Sequence, residues 1–109
     1  MAIKANLVID QGTSFSTLIN ITDSDDATID LTGFVGAAQM RKHFSSSNST
    51  PFVVTIIPAE GALTLALSAN TTANLVAGRY VYDVELTNEN GIISRIVEGI
   101  VTVTPNVTR

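Results

Sequence analysis

The sequence predicts an all-β fold, an immunoglobulin-like antiparallel β-sandwich of seven or eight strands with one short helical turn near residues 69–76. Short runs rich in Val, Ile and Thr recur along the chain, and these residue types favour strands. Gly, Asn and Asp turns separate the runs at the close spacing typical of sandwiches. Residues 78–104 contain two such runs around an Asn-Glu-Asn-Gly turn, which is typical of a β-hairpin. With 109 residues, we expect a single domain over 1–109.

The first half of the chain is predicted to alternate strands with polar turns. The segments are strands at 4–9, 13–21, 28–31 and 35–44, a turn at 22–26, and a polar loop at 45–51 that we expect to be the most mobile internal segment. Within 13–21, apolar Phe15, Ile19 and Ile21 recur with period two. This spacing predicts one buried and one largely polar face.

The second half predicts two hairpins with a helical turn between them. The segments are strands at 52–57 and 62–67 around a turn at 58–61, a helical turn that Ser68 caps and Gly78 ends, and strands at 78–87 and 92–104. Leu63, Leu65 and Leu67 alternate with smaller residues, which predicts an inward leucine face. On the next strand, Tyr80, Tyr82, Val84 and Leu86 share one side by parity and are predicted to be core. Pro105 is expected to stop the last strand because proline has no amide hydrogen.

Composition excludes several function classes. The chain has no cysteine, so we expect neither disulfides nor the commonest structural zinc sites. Six scattered basic residues and a net charge of -4 argue against a nucleic-acid partner, since phosphate contacts need clustered Lys and Arg. No apolar run approaches the ~20 residues of a membrane span. The first residues also lack the pattern of a secretion signal.

Candidate catalytic and metal-binding residues are few. His43 is the only histidine, and no nucleophile motif accompanies it, so a Ser-His-Asp site is not expected. Asp23, Asp25 and Asp26 suggest calcium, but the Gly and distant Glu of a known calcium loop are missing. An Asp-rich turn is the favoured interpretation. We therefore predict a non-enzyme with no metal and no cofactor.

Two carboxylates on one strand face need separate consideration. Asp83 and Glu85 alternate with apolar neighbours, and paired carboxylates can serve glycoside hydrolysis. That chemistry usually requires aromatic platforms, and the chain has no tryptophan and two tyrosines. The favoured interpretation is a solvated strand face, with Arg79, Arg95 or Lys4 opposite as weak partners.

The balance of apolar and charged residues predicts a protein contact surface. Hydrophobic residues make up 45% of the chain and charged residues 15%, so we expect copies of the chain or another protein to cover some apolar surface. Flat edge strands are ready interfaces. The first and last strands are the candidates, and the predicted interface residues are Leu7, Val8, Ile9, Ile96, Val97, Ile100 and Val101.

Six motifs, in order along nearly the whole chain, carry a family resemblance. They are DQGT at 10–13, IDLTGF at 29–34, QMRK at 39–42, LSA at 67–69, AGRYVYDVEL at 77–86 and EGIVTVTP at 98–105. With them the chain resembles a small immunoglobulin-like β-sandwich family of tailed bacteriophages, similar to the amino-terminal domain of upper baseplate proteins. Longer relatives continue into a fibre or stem, whereas this sequence ends four residues after Pro105.

The resemblance implies a structural protein of the virion, made in the bacterial host cytoplasm, with no catalytic residues. It implies an assembly or attachment module of the tail, baseplate or fibre apparatus, whose partners are other virion structural proteins. By analogy with phage tails and capsids, we expect a homo-oligomer, a trimer or a hexamer. A capsid decoration protein is the alternative, and a carbohydrate-binding adhesion domain, which would need exposed aromatics or a calcium site, is a third.

Overall fold

Alternating apolar residues build two sheets whose inner faces pack on each other as an immunoglobulin-like β-sandwich. The computed structural model describes residues 3–21 and 31–107. In these ranges the elements are β1 Ile3–Lys4, β2 Leu7–Asp10, β3 Phe15–Asn20, β4 Val35–Arg41, β5 Thr50–Pro51, β6 Val53–Ile57, a 3-10 turn Pro58–Glu60, β7 Ala62–Leu67, α1 Ala69–Ala73, β8 Gly78–Thr87 and β9 Ile93–Thr104. Nine strands replace the expected seven or eight because β1 and β5 are two-residue strands.

The larger sheet has six strands and the smaller sheet has three. The larger sheet runs β1-β9-β8-β4-β5, with β2 also paired to β9, and the smaller runs β3-β7-β6. All pairings are antiparallel except those of β1 and β2 with β9, which are parallel. The expectation of an antiparallel sandwich did not include this parallel edge.

The core lies where the predicted apolar faces meet. Leu63 and Leu65 are fully buried and Leu67 nearly so, which confirms the inward leucine face of β7. The inward face of β8 is likewise confirmed by buried Tyr82 and Val84.

The rings of three aromatic residues connect the two sheets through the core. Phe52 contacts Phe15 of β3 at 6.3 Å and Tyr82 of β8 at 6.0 Å between ring centroids.

One continuous segment belongs to both sheets. β5 pairs with β4 in the larger sheet, and β6, which follows after Phe52, pairs with β7 in the smaller sheet. The Phe52 amide donates to the Ala38 carbonyl at 2.9 Å, so the crossing residue is itself hydrogen-bonded. The sheets are therefore tied at this side by the backbone.

The predicted hairpins and helical turn form, with two notable shifts of boundary and one irregularity in register. Ser68 accepts a hydrogen bond from the Thr71 amide and caps α1, as predicted, but the helix ends at Asn74, four residues before Gly78. β4 ends at Arg41 instead of residue 44 because a turn begins at His43, whose carbonyl accepts the Ser46 amide at 3.0 Å. Ile96 is an extra residue in β9, where the register shifts opposite Val84.

Some predictions fall on residues outside the described ranges. These are the predicted turn at 22–26, with its three aspartates, and residues 28–30 of the predicted strand at 28–31. Leu31 is described, and it is a buried core residue outside any strand.

Candidate functional site

The structure places the predicted interface residues on two paired strands of the larger sheet, β2 and β9. β1 and β2 form the edge, and β9 lies inside the sheet between them and β8. β9 is therefore not an edge strand, because its second side is occupied by parallel pairing with β1 and β2.

Burial divides the seven predicted residues. Ile9, Val97 and Val101 are 0% exposed, so their side chains are core and do not reach a partner. They point inward because the strand period places Ile9 on the face opposite to Val8, and Val101 on the face opposite to Ile100. Val8 is 63% and Ile100 41% exposed, while Leu7 and Ile96 are partly buried against the core. The interface prediction therefore rests on Val8 and Ile100, with Leu7 and Ile96 only partly accessible.

The break between β1 and β2 is held by three hydrogen bonds. The Ala5 amide donates to the Glu98 carbonyl at 3.0 Å, and the Tyr82 hydroxyl donates to the Ala5 carbonyl at 2.6 Å. The Asn6 Oδ1 atom accepts the Ile100 amide at 3.1 Å, which replaces a ladder bond where the strand is interrupted. Gly99 lies beneath this break, since a Cβ there would overlap the Ala5 carbonyl group.

The fold alters the titration of the Tyr82 hydroxyl. Burial raises the pKa of its hydroxyl from 10.0 to about 12, because the charged phenolate loses hydration in the protein interior.

The three described strands of the smaller sheet carry no charged residue. β3, β6 and β7 contain no Asp, Glu, Lys or Arg, although the whole chain has sixteen such residues in 109. We call their outward side chains the uncharged face: Ser16, Leu18, Asn20, Val53, Thr55, Ile57, Thr64 and Ala66. Leu18 and Val53 are 53% and 65% exposed on it.

The outward surface of the larger sheet differs, because it is charged and concave. A hollow of about 440 Å³ lies over β8 and β9, and a second of about 190 Å³ adjoins it over β4 and β8. The two share Phe44, Val81, Asp83 and Arg95 among their lining residues, and we call them together the sheet cleft. Phe44, which follows β4, is 84% exposed at its wall.

A row of ion pairs crosses the sheet cleft. Arg95 Nε lies 3.3 Å from Asp83 Oδ2, and Arg95 Nη1 lies 3.3 Å from Glu98 Oε2. Lys4 Nζ approaches Glu98 Oε1 at 4.0 Å. Arg95 is thus the partner of Asp83, as predicted, whereas Lys4 pairs with Glu98 instead of Asp83 or Glu85. These exposed pairs contribute little stability individually.

A further hollow, of about 520 Å³, separates the 46–50 loop from the segment after α1. Lys42 lies beside it, with Nζ 5.0 Å from the centre of the Tyr80 ring. The Tyr80 hydroxyl donates to the Val76 carbonyl at 2.7 Å. Ser, Thr and Asn are the commonest residue types that line this hollow.

Among the described residues that were considered for catalysis, His43 lies outside the strands. His43 is exposed on a turn, where its amide donates to Ser46 Oγ at 3.0 Å. Within residues 3–21 and 31–107, no group of three His, Cys, Asp or Glu side chains is placed to hold a metal ion. None of the helices in these ranges is long and apolar enough to cross a bilayer.

The sheet cleft was missed at the sequence level. Its residues come from β1, β4, β8, β9 and the turn after β4, and only the pairing of these strands brings them together. The one sequence signal for the cleft is Phe44, an aromatic residue directly before a run of serines. The predicted strand at 35–44 includes Phe44 as its last residue.

No protein-family model matches the chain, and no curated protein matches it. Among solved structures, the chain is similar to part of the Listeria monocytogenes internalin-like protein lmo2027, with a TM-score of 0.47 and 16% sequence identity. The superposition covers 96% of this chain and 28% of that protein, so the chain spans little more than a quarter of its length. What the chain does is therefore inferred from its own surfaces.

Proposed function

We propose that the chain is a non-enzymatic structural module of a tailed-bacteriophage virion, which assembles with other subunits of the tail, baseplate or fibre apparatus. The observation that carries the proposal is the uncharged face. Protein interfaces are depleted of charged residues at their centre, because desolvating an ion is costly unless it is paired. The uncharged face avoids that cost, and the family resemblance supplies the virion context.

The edges of the sandwich support the same proposal. Among residues 3–21 and 31–107, β3 pairs with β7 alone and ends the smaller sheet, and β1 and β2 end the larger sheet. Unpaired backbone groups at such edges can accept a strand from another subunit. Val8 and Ile100 lie exposed beside the second edge. An oligomer of copies, a trimer or a hexamer, uses such surfaces without any cofactor.

Cross-linking on purified virus particles tests the proposal. The only two lysines, Lys4 and Lys42, both belong to the larger sheet or its margin, so amine cross-linkers sample that side. The absence of cysteine allows one thiol to be placed on the uncharged face, as Leu18→Cys, with a photo-cross-linker attached. Glu89→Cys, in the exposed loop between β8 and β9, is the matched control.

We expect the Leu18→Cys variant to link to tail, baseplate or fibre subunits, or to copies of the chain within them, more strongly than the Glu89→Cys variant does. Links confined to the major shell protein would support the capsid decoration alternative instead. Absence of the chain from particles would refute both.

A further inference from the structure

We propose that the sheet cleft binds an uncharged, hexose-sized ring of a glycan, with Phe44 as the stacking surface and Asp83 and Arg95 as hydrogen-bonding groups. This goes beyond the assembly function, which uses the other sheet and the edges. The volume of about 440 Å³ lies within the range of about 300–1,000 Å³ usual for small-molecule sites.

The exposed ring of Phe44 is the first element of the site. Phe44 is 84% exposed, so burial of its ring contributes little to the stability of the fold. The ring forms part of the wall of both hollows. The aliphatic face of a sugar ring covers an aromatic ring and removes apolar surface of both from water. Val81 and Ile100 line the floor of the cleft and extend the apolar surface under such a ring.

The charged side chains are the second element. Asp83, Arg95 and Glu98 form a connected row, so carboxylate acceptors alternate with a guanidinium donor along the floor. A sugar hydroxyl both donates and accepts, and it can therefore satisfy each group in the row.

Arg41 adds a fixed donor in the smaller hollow. Its Nη2 atom donates to Gln39 Oε1 at 3.0 Å and its Nη1 atom to the Ser46 carbonyl at 2.6 Å. Both bonds hold the guanidinium plane of Arg41 beside Phe44. Because the guanidinium group is planar and rigid, fixing its plane also fixes the directions of its remaining N–H groups.

The same charges disfavour a protein surface as the occupant. An apolar partner pressed over Phe44 would desolvate Asp83, Arg95 and Glu98 without offering them hydrogen bonds, and this desolvation opposes binding. Two cations and two carboxylates of the lining, Lys4, Arg95, Asp83 and Glu98, are already joined in ion pairs, so neither an acidic nor a basic group of a ligand finds an unpaired partner among them. The cleft instead fits an uncharged ligand with many hydroxyls.

Chemical-shift titration of the ¹⁵N-labelled chain tests the site. The probes are the methyl glycosides of glucose, galactose, mannose and N-acetylglucosamine at millimolar concentrations, with methyl glucuronide as the acidic counterpart and a parallel titration in EDTA. We expect at least one neutral glycoside to give saturable shifts in the amides of residues 44, 81–83 and 98–100. The same binding is expected in EDTA.

Three variants decide whether Phe44 stacks on the sugar. Phe44→Ala is expected to weaken binding by about fivefold or more, whereas Phe44→Tyr keeps it. Val53→Ala, which truncates an exposed residue on the other sheet, should leave the dissociation constant unchanged. Since Phe44 is exposed, its replacement leaves the core intact, and the amide spectrum reports folding directly.

Several results would overturn the proposal. They are the absence of saturable shifts with all four neutral glycosides, shifts that map outside the sheet cleft, equal or tighter binding of the glucuronide, loss of binding in EDTA, and unchanged affinity of the Phe44→Ala variant.

Discussion

Replacing Gly99 by alanine tests how the first strand is attached to the sheet. The new Cβ would overlap the carbonyl oxygen of Ala5 and lie 2.8 Å from its carbon. Both are backbone atoms, so no side-chain rotation relieves the overlap. The segment between β1 and β2 has to move away from β9.

That movement breaks the three hydrogen bonds that hold the Ala5–Asn6 break. Their net contribution is about 1 kcal/mol each, or about 3 kcal/mol together. Alanine in a strand interior regains about 0.5–1 kcal/mol relative to glycine, because the unfolded chain has less freedom to lose. The expected loss is therefore about 2 kcal/mol of the free energy of unfolding, which corresponds to a fall in Tm of about 8–16 °C for a domain of this size.

Urea denaturation followed by circular dichroism measures this loss. Ser94→Ala, an exposed replacement on the same strand, is the matched control and should change stability by less than about 0.5 kcal/mol. A double-mutant cycle with Tyr82→Phe isolates the mechanism. Tyr82→Phe should cost about 1 kcal/mol alone and almost nothing in the Gly99→Ala background, where the Ala5 carbonyl has already moved.

The reasoning is refuted by either of two results. One is a Gly99→Ala variant as stable as the wild type. The other is a Tyr82→Phe cost that is equal in both backgrounds, which would show that the hydroxyl bond survives the substitution.

Two further predictions concern buried hydroxyl groups. An unfolded tyrosine loses its proton near pH 10.0 and folded Tyr82 near pH 12. Stability should therefore be full below pH 10 and fall as pH rises to 12, by about 3 kcal/mol at most. Urea midpoints across this window measure the fall, and an unchanged slope in the Tyr82→Phe variant would contradict it. Thr72 is fully buried, and its hydroxyl donates to the Thr13 and Ala69 carbonyls at 2.7 and 3.1 Å. Thr72→Val should therefore lower the free energy of unfolding by about 1–3 kcal/mol, whereas Thr72→Ser should retain these hydrogen bonds. Equal losses of stability in both variants would show that side-chain packing, and not hydrogen bonding, accounts for the contribution of Thr72.

The sandwich could be predicted because its strands carry their own signals. The leucines of β7 and the tyrosines of β8 alternate at period two, and this alternation fixes the buried face whatever strand lies alongside. The cap at Ser68 was also predictable, because it depends on a local interaction. The Ser68 side chain accepts a hydrogen bond from the Thr71 amide, only three residues further along the chain.

Features that depend on which strands are neighbours could not be predicted. Residues 4–9 indicate a strand, but nothing in them specifies parallel pairing with β9. The outward side chains of the two strands also depend on the register, since Ile9 and Val101 face the core while Val8 and Ile100 face outward. The sheet cleft combines residues far apart in sequence, from Lys4 to Ile100.

The parallel pairing of β2 with β9 has a mechanical consequence. Leu7 to Asp10 run alongside Val101 to Thr104 in the same direction, so tension between the residue before β1 and the residue after β9 pulls the two strands past each other lengthwise. All the hydrogen bonds of this pairing then bear the load together, instead of opening one after another as in a peeled hairpin. The same short ladder that contributes modestly to equilibrium stability therefore sets a high rupture force for a chain stretched by its ends.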